Sequence, residues 1–284
     1  MSDKEQLNIS SDKNWFVESP TFRGHPKLLK KIEGSWLTMI LELTQFCDGS
    51  AYLSHMKRIH TARRHTTGMK LSEVAYTVPY MYQAVSDKFL PWCATIPAYP
   101  YEYKVDFEAE IGVIVDKVPM GIDVEDAGKY IKYVTIINDI SLRTFCAKEV
   151  LTGFGFLQGK PHSALGKWSI PVSELDEKYW YDNKFHTTMI VELNGKQIGK
   201  INTSKEMHFD FAQLIAHAAK TRELSKGTLI GSGTVSSSNP DDGFGCLMER
   251  NIVTNNNEYL KSGDNIKMYI EEFLDHLLIE QRVA

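Results

Sequence analysis

Val105-Asp106-Phe107-Glu108-Ala109-Glu110-Ile111-Gly112-Val113-Ile114-Val115 is the stretch whose reading decides the fold. β-Branched residues dominate its second half and apolar residues bracket it, so it reads as a core strand. Strand side chains alternate with period 2, which puts Glu108 and Glu110 on the same face. Two carboxylates side by side on a largely buried strand repel each other and lose hydration, at a cost that only a cation or hydrogen-bond donors offset. Two readings follow. The pair lies on an exposed sheet face, or it is half of a site for a hard divalent ion, because oxygen ligands suit Mg2+, Ca2+ or Mn2+.

Downstream, residues 124–133 read as a helical piece and residues 134–137 as an apolar strand ending in Asn138-Asp139-Ile140-Ser141. Asp139 could cap a following helix or face the same site as the glutamates. Residues 153–161, Gly-Phe-Gly-Phe-Leu-Gln-Gly-Lys-Pro, have neither of the two common phosphate-loop spacings, and Pro161 interrupts the helix such a loop needs. Residues 187–201 form a hairpin about Asn194-Gly195. Residues 211–224 make an amphipathic helix with Asp210 as N-cap and Gly227 as terminator. Residues 229–236 are a strand running into a loop whose glycines and hydroxyls let backbone come close to a ligand. Residues 251–253 and 266–270 read as strands, and beyond Glu271 the pattern fits either element.

Upstream, residues 77–101 are rich in Pro, Tyr and Trp and read as a long irregular loop. Residues 50–65 look helical, with Tyr52, Met56 and Ile59 on one face and His55 beside them. The basic run 57–64 reads as a solvated face for Lys57, Arg58 and Arg63, given a net charge of −4. Asp48-Gly49-Ser50 reads as a turn, residues 36–46 as strand or helix, and residues 1–30 as a polar arm or lead-in.

At 284 residues, 43% hydrophobic and 24% charged, the chain suits one large soluble domain with a smaller N-terminal piece. The charge balance offers no nucleic-acid surface, and no apolar run approaches the ~18 residues of a membrane span. Met-Ser-Asp-Lys-Glu-Gln is not a signal peptide. Cys47, Cys93, Cys146 and Cys246 lie far apart, which argues for reduced thiols, a cytoplasmic location and no thiolate zinc.

Taken together the motifs resemble the fumarylacetoacetate hydrolase family, from about residue 45 to about residue 270. Its pattern is an E-x-E strand, a strand ending in N-D-x-S-x-R, a lysine after a Gly-rich loop, and a G-T-[VI]-S loop. Here these are Glu108-Ala-Glu110, Asn138-Asp139-Ile-Ser141-Leu-Arg143, Gly159-Lys160 and Gly233-Thr234-Val235-Ser236. Family members carry a metal-binding Asp seven residues before a catalytic His and a substrate-binding Arg nine after it; Asp48, His55 and Arg64 stand at those offsets. A P-x-x-Y segment matches Pro79 to Tyr82, and an F-G-x-x-x-E segment matches Phe244 to Glu249. A Gln and a Tyr near the substrate are replaced here by Cys146 and Val150, which removes two polar contacts at the substrate's far end.

The resemblance implies an α+β, mostly β fold: a mixed β-roll around a metal site with flanking helices, usually a homodimer. Residues 1–40 would be a short lead-in and 41–284 the catalytic domain. It also implies hydrolytic C–C cleavage of a 1,3-diketo acid of the fumarylacetoacetate or acylpyruvate type, as in aromatic amino acid catabolism. His55, Glu249 and Lys160 would be catalytic, and Arg64, Tyr82 and Thr234 would bind substrate. Asp48, Glu108, Glu110 and Asp139 would hold Mg2+ or Ca2+, with Mn2+ as a third candidate. The same metal motif also serves hydratases, isomerases and decarboxylases of this family, and a non-catalytic relative that merely binds metal or ligand is the remaining alternative. Retention of both His55 and Glu249 argues against that last one, since binding alone needs no water-activating pair.

Overall fold

The computed structural model describes residues 43–67 and 71–284, and for residues 62–67 the backbone alone. The expected lead-in 1–40 and the side chain of Arg64 therefore lie outside the described residues. In chain order the main elements are β1 (Gln45–Gly49), α1 (Leu53–Thr67), β2 (Met81–Ala84), β3 (Ala109–Val115), β4 (Ile131–Asn138), α2 (Arg143–Glu149) and β5 (Ala164–Leu165). They continue with β6 (Thr188–Leu193), β7 (Lys196–Asn202), α3 (Phe211–Ala218), β8 (Thr228–Thr234), α4 (Leu247–Thr254), β9 (Asn265–Ile270) and β10 (Leu278–Arg282).

The larger sheet runs β2-β1-β8-β3-β4-β5, with residues 170–171 also pairing along β4. β1 and β8 are parallel and the other pairs antiparallel, so the sheet is mixed. A second, antiparallel sheet runs β7-β6-β9-β10. Ile111 and Val113 of β3 and Val134 and Ile136 of β4 share one apolar core with Met189, Ile201, Met268 and Ile279 of the second sheet. The opposite face of β3 carries Ile114 into a smaller cluster with Phe46, Ile137, Leu165 and Leu229. Glu110 shares that opposite face, because it lies an even number of residues from Ile114. With both faces covered, all of β3 is buried, which is why the stretch reads as a near-continuous apolar run. This is the mostly β, mixed-roll architecture expected from the sequence.

Four local expectations are corrected. The strand over 105–115 is broken at Phe107–Glu108: Asp106 accepts a hydrogen bond from the Phe107 N–H, and Glu108 bridges to Cys246 instead of pairing within the sheet. Asp48 and Gly49 belong to β1 rather than a turn, drawn into line by Gly231 on one side and Tyr82 on the other. The helix from Phe211 has the expected Asp210 cap, completed by Gln213, but stops at Ala218. Beyond it, Leu224 exchanges both backbone hydrogen bonds with Val118. Residues 251–253 are helical, inside α4, whose first N–H groups are held by the Asp106 carboxylate. That tertiary contact overrides the β-branched pair Ile252-Val253.

Candidate active site

The central strands deliver the carboxylates. Asp48 stands opposite Gly231 of β8, Gly231 stands opposite Gly112 of β3, and Thr234 stands opposite Glu110. β4 ends at Asn138, so Asp139 follows on the same edge. Carboxylate oxygens of Asp48, Glu110 and Asp139 come within 4.8 Å of one another, and all three residues are buried. Gly231 makes the gathering sterically feasible: a Cβ there would overlap Asp48 Oδ1 and lie 3.1 Å from Glu110 Oε2. Gly233, at φ +71, turns the chain against the Gly49 carbonyl where no Cβ fits.

The partners of these acids differ sharply. Asp139 accepts from Tyr82 Oη and Ser163 Oγ, each at 2.7 Å, and from Lys160 Nζ. Asp48 accepts from the Gly233 N–H at 3.2 Å. Both Glu110 oxygens are buried and accept nothing from any described residue. Burial, and then the Asp139 charge, push the Asp48 carboxyl up to about 7. Burial and the Asp48 charge push Glu110 well above the carboxylate range. Such a cluster fits a divalent cation: the donors are all carboxylate oxygens, and one of them lacks any other partner.

Glu108 stands apart from this triad. Its Oε2 pairs with Lys160 at 2.7 Å and its Oε1 with Arg143 at 2.6 Å. Burial alone would raise its pKa, yet the Lys160 and Arg143 charges hold it well below the usual carboxylate range. Each Glu108 oxygen is thus already held by one cation, and a metal would have to share it with that ion pair. Lys160 is itself kept protonated against burial by Asp139 and Glu108.

The second constellation is on α1 and α4. His55 Nδ1 lies 3.0 Å from Glu249 Oε1, and Glu249 is fully buried. Glu249 also accepts from Ser236 Oγ at 2.7 Å and from Arg58 Nη1 at 3.3 Å. The solvated face expected for Arg58 is corrected: its side chain is only 12% exposed and packs over the Phe244 ring. Its position three residues after His55 places it on the same face of α1, a signal the sequence does contain. Lys57 is exposed as expected. Cys246 also brings its thiol near His55 and Glu249, but the neighbouring Arg58 and Arg143 charges make that corner a poor cation site.

One cavity of about 1090 Å³ joins both constellations, lined by Asp48, His55, Tyr82, Glu108, Lys160 and Thr234. Cys146 and Val150 line it too, as do the apolar Ala147 and Met248. Thr234 Oγ1 is buried without a hydrogen-bond partner. The structure thus brings together all the sequence-derived site residues that it describes, and adds Arg58, Arg143, Ser236 and Ser163.

A mixed β-roll whose central strands gather three buried carboxylates able to hold a metal ion, beside a His–Glu pair, is the architecture to be placed among known folds. Residues 44–277 match the fumarylacetoacetate (FAA) hydrolase C-terminal family, and the chain belongs to it. It is 28% identical over 173 residues to a Dictyostelium discoideum fumarylacetoacetate hydrolase domain-containing protein 2 homolog, covering 60% of this chain and 52% of that one. It is 27% identical over 170 residues to a 2,4-didehydro-3-deoxy-L-rhamnonate hydrolase of a Sphingomonas species, covering 59% and 52%. The chain spans about half the length of these curated relatives. The fold matches a fumarylpyruvate hydrolase from Pseudomonas aeruginosa, solved with Mn2+ and pyruvate, at TM-score 0.60 and 15% identity, covering 85% of this chain and 90% of that one. It also matches a 5-carboxymethyl-2-hydroxymuconate delta-isomerase from Mycobacterium smegmatis at TM-score 0.60 and 18% identity, covering 88% and 82%. Among the described residues no helix is long and apolar enough to cross a membrane.

Proposed function

We propose that the protein is a divalent-metal-dependent hydrolase that cleaves a C–C bond of a 1,3-diketo acid of the fumarylacetoacetate or acylpyruvate type. The observation that carries this reading is that His55, held by the buried Glu249, lines the same cavity as Asp48, whose carboxylate gathers with those of Glu110 and Asp139. Asp48, Glu110 and Asp139, joined by Glu108, would hold the ion, which when bound supplies positive charge beside the diketone oxygens.

The chain's own residues supply the rest. Glu249 fixes Nδ1 of His55, which leaves Nε2 to take a proton from water. The hydroxide adds to the carbonyl carbon, while the Lys160 ammonium faces the oxygen on which negative charge grows. Breaking the C–C bond gives a carboxylic acid and a carbanion, and that carbanion takes back the proton held on His55. No atom or charge is left over. Ser236 and Arg58 hold Glu249 oriented towards His55 while the imidazolium exists. Tyr82 and Thr234 contact the substrate, and Arg64, six residues beyond Arg58 along the helix, is the proposed partner of its carboxylate.

The test is turnover of fumarylacetoacetate and a panel of acylpyruvates, followed by loss of diketone absorbance with Mn2+, Mg2+ or chelator. Metal-dependent loss with two carboxylic products is expected. Release of CO2, or addition of water or double-bond migration without cleavage, would move the protein to a decarboxylase, hydratase or isomerase reaction.

A further inference from the structure

The cavity extends beyond the carboxylates to a group of polar side chains: Lys104, Asn256, Asn257 and Tyr259. Among the described residues three Lys or Arg side chains line it, and they are not equivalent. Arg143 is paired with Asp106 and Glu108, and Lys160 with Glu108 and Asp139. Lys104 Nζ instead donates to the neutral Asn257 Oδ1 at 3.3 Å and sits over the Tyr259 ring, 5.5 Å from its centroid. Among the described residues no carboxylate pairs with it. An ammonium has three donors, and with an amide and a ring face as its protein partners its charge is left to solvent or to an incoming anion.

The backbone pins this lysine in an unfavourable conformation. Lys104 is left-handed at φ 56 and ψ 64, which a side-chain-bearing residue adopts at a cost of roughly 1 kcal/mol. Its N–H donates to Tyr101 O at 3.0 Å, and its carbonyl accepts from the Arg143 N–H at 3.1 Å. The residue is thereby tied to the helix start that carries Arg143, the partner of Glu108. Glu108 lies four positions after Lys104, so the two Cα atoms are at most about 14 Å apart. Lys104 therefore lies within reach of the same short substrate as the carboxylate end of the cavity. Ala147, Val150, Met248 and Ile252 add an apolar wall to the same cavity, suited to a hydrocarbon segment and not to a second charge along the way.

We propose that Lys104 is the specificity-determining residue for the far end of the substrate, selecting diketo acids whose tail ends in a carboxylate. The inference rests on the diketo-acid reading above and deepens it. A tail carboxylate would gain a charge-assisted hydrogen bond from Nζ, whereas a neutral tail leaves the ammonium on its amide.

The test compares two acylpyruvates of equal tail length, one ending in a carboxylate and one in its methyl ester, at saturating Mn2+. Wild-type protein should prefer the carboxylate by about 10–100-fold in kcat/KM. Lys104→Gln should bring that ratio towards 1 through KM, and Lys104→Arg should keep most of it. A wild-type ratio near 1, or a preference that survives Lys104→Gln, would overturn the proposal. In parallel, calorimetry with a linear dicarboxylate and its monomethyl ester reads the subsite without turnover. If no acylpyruvate is cleaved but the dicarboxylate binds more tightly in a Lys104-dependent way, the hydrolase reading fails and the subsite stands. Equal binding of the two ligands, or binding indifferent to Lys104→Gln, removes the subsite.

Discussion

Replacing Asp48 by Asn should stabilise the metal-free protein at alkaline pH and weaken it once metal is supplied. The Asp48 carboxyl is 3% exposed and pushed from 3.8 up to about 7. At about 1.4 kcal/mol per pH unit, that corresponds to a ceiling of about 4 kcal/mol for keeping it ionised in the folded chain. Below about pH 4 both folded and unfolded chains hold the proton and the group contributes nothing. Between about pH 4 and 7 the unfolded chain has released its proton and the folded chain has not, so stability falls as pH rises. Above about pH 7 the whole cost is present. Asn has nearly the same shape, cannot ionise, and its Oδ1 still accepts the Gly233 N–H. If half the ceiling is recovered, about 2 kcal/mol, a chain of this size melts about 3 °C higher. The assay is thermal unfolding by circular dichroism in chelator, from pH 4.5 to 8, and again in excess Mn2+. The gain in chelator should shrink towards the acid end. In Mn2+ the order should reverse, because wild type binds the ion with one more carboxylate. An Asp48→Asn protein that melts below wild type in chelator at pH 8 would refute the reasoning.

Gly231→Ala should lower Mn2+ affinity at least about tenfold by calorimetry, since its Cβ displaces the Asp48 and Glu110 carboxylates. Glu249→Gln should reduce kcat by about 10²–10⁴ while Mn2+ affinity stays within about twofold, separating proton transfer from metal binding. Arg58→Met strips a buried partner from Glu249 and should cost about 3 kcal/mol in urea unfolding, with Arg58→Lys recovering part of it.

Much of this site is legible in the sequence because its chemistry is carried by short, local patterns. Glu108-Ala-Glu110, Asn138-Asp139 and Gly233-Thr234 each sit on or at the end of a strand, where residue order sets direction. Strand parity suffices for Glu110. It places Glu108 less well, because the side chain of Asp106 takes the Phe107 N–H and breaks the strand between them. Arg58 is misread for a different reason: its spacing from His55 is in the sequence, but charge runs on a helix usually face water, and the buried Glu249 that turns this one inward lies 191 residues away. The helix over 251–253 and the early stop at Ala218 likewise depend on partners distant in sequence, Asp106 and Val118.

The parallel pairing of β1 with β8 has a kinetic side. His55 meets Glu249 across 194 residues, and the Gly233 N–H meets Asp48 across 185. No hairpin or single crossover assembles these pairs. The loops that must close are long, and such contacts form late because chain entropy is lost before they are rewarded. The catalytic centre therefore comes into being only as the last central strands dock. Refolding should show native helix and hairpin signals in advance of any affinity for Mn2+, and partially folded chains should be unable to carry the ion or to turn over substrate.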